Sequence, residues 1–546
     1  MTLVMSFSLI FVSILTAITQ NSASMASSDA VDISVNVNSK LVQQNENVIG
    51  VNQLPTSNKA LTLMKSIGVK WVRIDASLEG SINGVPVYNC LNGNWNPAIV
   101  APRVAAAQNI SANSELIIDY SPTCLAETPT SNPQYSPPDS PSTQSKWTAL
   151  IFKVGMWAIA HHVTTFEVWN EPDWVFWSGG LTGYLQLYKD TALALEKASQ
   201  ASHVTVAVGG PALANVGGTM DTIWLDSFLQ YVNTNHLPLN FLSWHTYAED
   251  PNAGPSSNLP SFCFSKTKNP PNIPCYYTQQ LNTAVYGDEV QQAKVALKPF
   301  PNLQPVLWID EWNINGEFDA RDNTSFAAAF ILSAIDSATS NGIGRMSWYN
   351  VLDSNNDPLA AFGLLDYNFS KKPSYNSFYL YHELAGSMLS QSISYYASVQ
   401  NNPFGTQGGV GSFSAKTPDG IVHVLIYNFI PYDPTGNFGS HTSNNFKASI
   451  ALSFSGLKSG TYNAGFQTIQ STSSGKIVQS SAILNSANPR LNILLNEDGV
   501  ELVTLTPQSK SQSTQRKFII LVVVLVILLL ILSVLFVVHK KQMIKA

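Results

Sequence analysis

Two glutamates stand where carboxylates could carry out chemistry. Glu171 lies in the stretch 166–172 and Glu311 in the stretch 306–313, and each ends a predicted β-strand. Hydrolysis of a glycosidic bond commonly needs two carboxyl groups, one protonated to donate to the leaving oxygen and one ionised to attack the anomeric carbon. A charge on one carboxylate raises the pKa of a close neighbour, which helps to keep the acid protonated. The pair therefore predicts glycosidase chemistry.

The elements that must position this pair are visible as an alternation of short apolar runs and longer helical patterns between residues 46 and 386. Such alternation is typical of βα units around a parallel sheet. Eight strands are predicted, at 48–51, 70–74, 115–119, 165–169, 204–208, 241–244, 306–310 and 346–349. We therefore expect an α/β fold, a (β/α)8 TIM barrel, with its catalytic residues at the C-terminal ends of the strands. A doubly wound sheet is the competitor, but no G-x-G-x-x-G follows the first strand.

On a barrel, Glu171 ends strand four and Glu311 ends strand seven, so their side chains reach inward from opposite walls. Direct attack with net retention implies a carboxyl separation of roughly 5–5.5 Å, whereas ~6.5–9.5 Å leaves room for a water and implies inversion. Asp310, beside Glu311, is expected on the opposite face of its strand because side chains alternate along a strand.

Tryptophans fall at or near several predicted strand ends, where flat apolar rings suit the faces of sugar rings. They are Trp169, Trp174, Trp177, Trp244, Trp308, Trp312 and Trp348. We expect Trp174, Trp312 and Trp348 in particular to contact substrate.

After the barrel, residues 387–507 contain short strands separated by Gly, Asn and Ser turns. This pattern predicts an appended antiparallel β-sandwich. A strand within residues 31–45 is a candidate to join that domain.

Both ends of the chain carry membrane-directed patterns. Residues 1–26 resemble a signal peptide, with an apolar run followed by small residues. Residues 518–538 are apolar apart from Ser533, and about 20 such residues cross a hydrocarbon core of ~30 Å. Residues 508–517 would form a polar stalk and 539–546 a cytoplasmic tail. The sequence therefore predicts a single-pass cell-membrane protein with an extracellular catalytic domain.

The four cysteines lie on the predicted extracellular side, where disulfides form. Cys90 with Cys124 and Cys263 with Cys275 is the simplest of three possible pairings. No C-x-x-C occurs and the nine histidines do not cluster at ligand spacing, so neither a metal nor an organic cofactor is expected.

Charge argues against nucleic acid as a partner, since the net charge is −6 and no basic cluster occurs. Charged residues make up only 12% of the chain, against roughly 25% in an average soluble protein. A surface of Ser, Thr, Asn and Gln keeps its properties in acid, where Asp and Glu become neutral. We hypothesise an acidic external medium.

The stretch Phe-Glu-Val-Trp-Asn-Glu-Pro at 166–172 resembles the acid/base motif of retaining (β/α)8 glycosidases. Within that clan the chain is most similar to glycoside hydrolase family 39, the β-xylosidase and α-L-iduronidase family. Further stretches carry the resemblance in the family's order, at 208–211, 241–247, 309–313, 363–366 and 372–373. The appended β-sandwich also fits that family.

The resemblance implies that Glu171 is the acid/base and Glu311 the nucleophile of a retaining enzyme. We therefore predict the shorter carboxyl separation, roughly 5–5.5 Å. It implies that Asn170 hydrogen-bonds the sugar 2-hydroxyl, and that His245 and Tyr247 form the strand-six pair, with Tyr247 holding the nucleophile. Arg73, at the end of strand two, is expected to brace the nucleophile or a neighbouring carboxylate.

The chain departs from the family pattern in two loops. Strand one ends at Asn52 and Gln53 without a basic residue, and the segment after strand eight does not reproduce the family's acidic loop. The sequence therefore leaves β-xyloside and β-glucoside substrates open. Two alternatives also stay open: an endo-acting β-glucanase or xylanase of the same clan, and a non-catalytic carbohydrate-binding surface protein.

Overall fold

The computed structural model describes residues 30–41, 44–126, 132–217, 219–248, 283–314, 316, 320–354, 362–395, 409–430, 447–470, 475–487 and 489–508. The predicted signal segment, the membrane segment 518–538 with its flanking residues 509–517 and 539–546, and Cys263 and Cys275 lie outside these residues. Within the described ranges, no helix is both long and apolar enough to cross a membrane.

Eight parallel strands close into a barrel, which confirms the predicted (β/α)8 fold. In chain order, barrel strands one to eight are Gly50–Asn52, Trp71–Asp75, Asn113–Ile118, Thr165–Val168, Ala207–Leu213, Phe241–Tyr247, Val306–Asn313 and Arg345–Trp348. Strand eight closes the barrel by pairing with strand one, with Ser347 opposite Gly50.

Within the described residues, one α-helix follows each barrel strand. The helices are α1 (Asn58–Ser66), α2 (Val100–Asn109), α3 (Pro141–Ala160), α4 (Gly180–Ser202), α5 (Thr219–Thr234), α6 (Ala284–Leu297), α7 (Ser325–Ser340) and α8 (Pro373–His382). Helix α3 begins with a capping box, in which Ser140 and Thr143 satisfy each other's backbone N–H groups. Helix α7 is apolar around most of its circumference because it is covered on two sides. The β domain covers its outer side, where Phe429 packs against Phe326 with ring centroids 5.3 Å apart.

Two further sheets form the appended β domain. The four-stranded sheet has the order Ser390–Tyr395, Ala30–Asn36, Ala448–Ser455, Arg490–Leu495. The six-stranded sheet has the order Ser387–Met388, Gly409–Lys416, Val422–Phe429, Val500–Pro507, Thr461–Ile469, Val478–Asn485. Buried side chains from both sheets, such as Ile450 and Val503, form one apolar core. The strand Ala30–Asn36 pairs parallel with Ala448–Ser455, so this domain is not wholly antiparallel.

A disulfide joins Cys90 to Cys124. It links the segment after barrel strand two to the segment after barrel strand three, and it confirms a disulfide in this chain. Both segments lie at the barrel face that carries the C-terminal ends of the strands.

Barrel strand seven is bulged at the site. Trp244 of strand six pairs with Ile309, but the next residue, His245, pairs with Glu311. The extra residue interrupts the alternation of side chains, so Asp310 and Glu311 both face the interior of the barrel. The Asp310 carboxylate lies 3.8 Å from Arg73 Nε and 3.6 Å from His245 Nε2. The expectation that Asp310 faces the opposite side was therefore wrong.

Candidate active site

Glu171 and Glu311 meet at the mouth of the barrel. One carboxylate oxygen of each and a ring nitrogen of His245 all lie within 4.8 Å of one another. Each glutamate side chain is 14% exposed, whereas the His245 side chain is fully buried. The two carboxylates are therefore the part of this group that a substrate can reach from solvent.

Both oxygens of Glu311 are held by hydrogen bonds. The Tyr247 hydroxyl donates to Oε1 at 2.6 Å, and Arg73 Nη1 donates to Oε2 at 2.9 Å. Burial, with the charge of Glu311, raises the pKa of Tyr247 well above its ordinary value. Tyr247 therefore keeps its proton and remains a donor. Two donors from two different strands fix the orientation of the carboxylate.

Arg73 connects Glu311 to Asn170, the residue before Glu171. Its Nε donates to Glu167 Oε2 at 2.7 Å and its Nη2 to Asn170 Oδ1 at 2.9 Å. Burial by itself lowers the pKa of Arg73, but the charges of Glu167, Asp310 and Glu311 outweigh burial and raise it. Arg73 therefore remains charged and holds both sides of the mouth together.

His245 lies between the two carboxylates, with Nδ1 2.7 Å from Glu171 Oε1. Burial by itself lowers the pKa of His245, but Glu311 and Glu171 raise it above its ordinary value. A carboxylate on either side thus favours the imidazolium form. In that form His245 donates to Glu171 and fixes its orientation.

The backbone around Glu171 adopts the left-handed region, with φ 72° at Trp169 and 46° at Glu171. Such residues cost about 1–3 kcal/mol each and cluster at functional sites. Neighbouring groups hold this segment in place: the Glu171 N–H donates to the Ala212 carbonyl and the Ala214 N–H donates to Asp173, both at 2.9 Å. The surrounding loops therefore determine where the Glu171 side chain points.

The sequence model of Glycosyl hydrolases family 39 matches residues 118–405, more than half of the chain. The chain belongs to this family. The family resemblance predicted from the ordered motifs is thus confirmed.

Relatives agree with this assignment. A beta-xylosidase of Caldicellulosiruptor saccharolyticus is 27% identical over 265 residues, which cover 45% of this chain and 48% of that protein. The match thus spans about half the length of that relative.

Two solved structures share the fold. The GH39 enzyme from Xanthomonas axonopodis pv. citri aligns with a TM-score of 0.66 and 16% identity, covering 90% of this chain and 100% of that one. A monomeric beta-xylosidase from Caulobacter crescentus aligns with a TM-score of 0.65 and 15% identity, covering 88% and 100%. At such identities the similarity concerns the fold alone.

Most of the tryptophans at the strand ends of this family 39 chain do not lie where a substrate could contact them, contrary to the expectation from the sequence. Trp312 and Trp348 are fully buried and pack against each other with ring centroids 4.8 Å apart. The structure therefore does not bring these two rings to the open part of the site. The same holds for the other buried tryptophans, which are Trp169, Trp177, Trp244 and Trp308. They fill the space between the barrel and the helices, or the barrel interior. Trp174, at 60% exposure, is the member of the expected set that faces solvent.

Tyr120 and Glu167 belong to the site although sequence reasoning did not single them out. The Tyr120 hydroxyl accepts a hydrogen bond from Asn170 Nδ2 at 3.1 Å. Glu167 accepts from Arg73 and from the Ser243 hydroxyl at 2.5 Å. A Glu inside an otherwise apolar strand was an available signal, since a buried charge needs a partner.

The two loops that depart from the family 39 pattern contact each other. Gln53 Nε2 donates to the Tyr349 hydroxyl at 3.2 Å, and Asn350 Nδ2 donates to Gln53 Oε1 at 3.3 Å. The amides of Gln53 and Asn350 and the phenol of Tyr349 thus lie where the family pattern has a basic residue and an acidic loop.

A second group of carboxylates, Glu115, Glu167 and Asp310, lies buried beneath Glu171 and Glu311, with one oxygen of each within 4.8 Å of the others. Burial raises the pKa values of Glu115 and Asp310. Burial would also raise that of Glu167, but Arg73 and hydrogen bonds lower it. The positive charge of Arg73, whose Nε donates to Glu167 and lies 3.8 Å from Asp310, compensates part of the negative charge of this group.

Proposed function

We propose that the protein is a retaining glycoside hydrolase that cleaves β-glycosidic bonds of the β-xyloside or β-glucoside type. Family membership supports a carbohydrate substrate. The observation that carries the proposal is the approach of Glu171 and Glu311 oxygens to within 4.8 Å. Retaining pairs lie roughly 5–5.5 Å apart, and the ~6.5–9.5 Å of inverting pairs leaves room for a water between carboxylate and sugar. The short distance favours direct attack on the sugar.

The proposed reaction has two displacements. Glu311 attacks C1 and forms an ester with the sugar while Glu171 donates its proton to the leaving oxygen. Glu171 then removes a proton from water, whose oxygen attacks C1 and releases Glu311. Tyr247 and Arg73 orient Glu311 in both steps, and His245 orients Glu171. Asn170, held by Arg73 and Tyr120, is placed to hydrogen-bond the sugar 2-hydroxyl.

The test is a panel of 4-nitrophenyl β-D-xyloside, β-D-glucoside and related glycosides. We expect the wild type to hydrolyse one of the two β-glycosides and Glu311→Ala to lose nearly all turnover. NMR of the fresh product should show the β-anomer first, as retention requires. An initial α-anomer, or undiminished turnover by Glu311→Ala, would exclude the mechanism. Early products from xylan or β-glucan decide between exo action, which releases monosaccharide only, and the endo-acting alternative.

We also propose that the protein is anchored in the cell membrane with its catalytic domain outside. The apolar segment 518–538 and the signal-like residues 1–26 support this location. The Cys90–Cys124 disulfide supports it too, because disulfides persist in oxidising compartments. Protease added to intact cells should remove the catalytic domain, and a domain that is cut only after lysis would contradict the proposal.

A further inference from the structure

Helix α6 contacts strands six and seven on their outer side, behind His245, Tyr247 and Glu311. The buried Glu289 carboxyl accepts a hydrogen bond from the Trp244 indole at 2.9 Å and another from the Thr246 hydroxyl. One turn earlier, the Tyr286 hydroxyl donates to the Asn313 carbonyl at 2.8 Å. One helix is thus bonded to strand six, which carries His245 and Tyr247, and to strand seven, which carries Glu311.

Strand six joins these outer bonds to the inner site. Side chains alternate along it, so Trp244 and Thr246 point to α6 while His245 and Tyr247 point into the barrel. His245 lies 2.7 Å from Glu171 and the Tyr247 hydroxyl 2.6 Å from Glu311. The stretch 244–247 therefore contacts Glu289 on one face and both catalytic carboxylates on the other.

The strand needs this support at that point. The pairing between strands six and seven shifts register between Trp244 and His245, so the ladder is irregular where the catalytic side chains leave the backbone. A buried carboxyl is costly unless it is hydrogen-bonded. An apolar side chain would pack α6 on the barrel without that cost, but it would not fix Trp244 and Thr246.

We propose that Glu289 is a positioning residue: by holding Trp244 and Thr246 it aims His245 at Glu171 and Tyr247 at Glu311. The catalytic consequence rests on the proposed function, whereas the structural consequence does not.

The chain offers a conservative variant and a matched control. Burial raises the pKa of Glu289 to about 8, so the group is mainly neutral at pH 6 and Glu289→Gln keeps an acceptor without changing the charge. Glu289→Leu removes the acceptor. Asp336 of α7 is the control, because it also accepts a buried hydroxyl, that of Tyr427 at 2.7 Å, but from the β domain rather than from a catalytic strand.

The experiment compares kcat, KM and Tm of full-length variants on the best aryl glycoside of the wild type. We expect Glu289→Leu to lose kcat on the order of 10- to 100-fold with KM little changed, since small misplacements of catalytic groups cost that much. Glu289→Gln should keep most of the kcat. Asp336→Leu should lose Tm comparably yet keep kcat. Equal losses of kcat in Glu289→Leu and Asp336→Leu would overturn the proposal.

Two further measurements test the proposal even if Glu289→Leu does not fold or the wild type shows no turnover. Thr246→Val keeps Glu289 and removes one of its two bonds, so it should show a smaller fall in kcat in the same direction. Crystal structures of Thr246→Val or Glu289→Leu should show the His245–Glu171 and Tyr247–Glu311 contacts lengthened. Unchanged contacts would refute positioning by Glu289. Absence of any wild-type turnover would refute the proposed function, not this role.

Discussion

The Tyr247 hydroxyl donates to Glu311 Oε1 across 2.6 Å, from strand six, which neighbours the strand of Glu311 in the barrel. A hydrogen bond to a charged group contributes about 1.5–3 kcal/mol to the stability of the state in which it forms. Tyr247→Phe should therefore lower kcat on the order of 10- to 100-fold, measured on an aryl glycoside. Tyr188→Phe is the control, since the Tyr188 hydroxyl donates to the Pro238 carbonyl instead. A Tyr247→Phe variant as active as this control would contradict the assigned role.

Glu171→Ala should separate the two chemical steps. Without its proton donor the enzyme should lose turnover of glycosides with poor leaving groups, but keep formation of the Glu311 ester from substrates with activated leaving groups. Added azide should then accelerate turnover and give a β-glycosyl azide, identified by NMR. An α-azide, or no effect of azide on an accumulated ester, would show that Glu171 is not the acid/base.

Arg73 donates four hydrogen bonds, to Glu167, Asn52, Glu311 and Asn170. Arg73→Met leaves buried carboxylates without their cation, a change that costs about 3–5 kcal/mol in similar cases. We expect a clear fall in Tm together with loss of turnover. Arg73→Lys keeps the charge but lacks the planar fork, so it should recover Tm more than kcat. Parallel recovery of both would mean that charge alone matters.

Stability should decrease as the medium becomes alkaline. Burial raises the pKa values of Asp119, Asp310 and Glu289, the last to about 8. Their protonated forms are favoured in the fold, so their stabilising effect is complete below the unfolded pKa values of about 4 and is lost as pH rises through the folded ones. The lowered pKa of Glu167 has the opposite effect, because its contribution to stability is lost as the pH falls into the acid range. We predict a Tm that falls between about pH 5 and 9, with a shallower fall in Glu289→Gln. A Tm that rises over this range would also contradict the hypothesis of an acidic medium.

Trp174 is exposed three residues after Glu171, which suits contact with the leaving part of a longer substrate. Trp174→Ala should leave Tm unchanged and raise KM for an oligosaccharide roughly 2- to 10-fold, by analogy with other aromatic contacts. KM for a 4-nitrophenyl monosaccharide should stay the same. Equal effects on both substrates would place Trp174 elsewhere than beside the leaving group.

The sequence by itself determined the barrel and the location of its two glutamates. Eight βα units place the ends of all their strands on one face, so any residue that ends a strand, as Glu171 and Glu311 do, arrives there whatever the details of packing. Only the tertiary structure decided which neighbours these residues meet. Asp310 and Glu311 share the inner side because the pairing of strands six and seven inserts a bulge, and pairing between strands is not encoded in the spacing along one of them. Trp312 is buried and Trp174 exposed because the surrounding helices cover one and not the other. Glu289 reaches Trp244 across 45 residues of sequence, a contact that exists only once α6 has packed on the closed barrel.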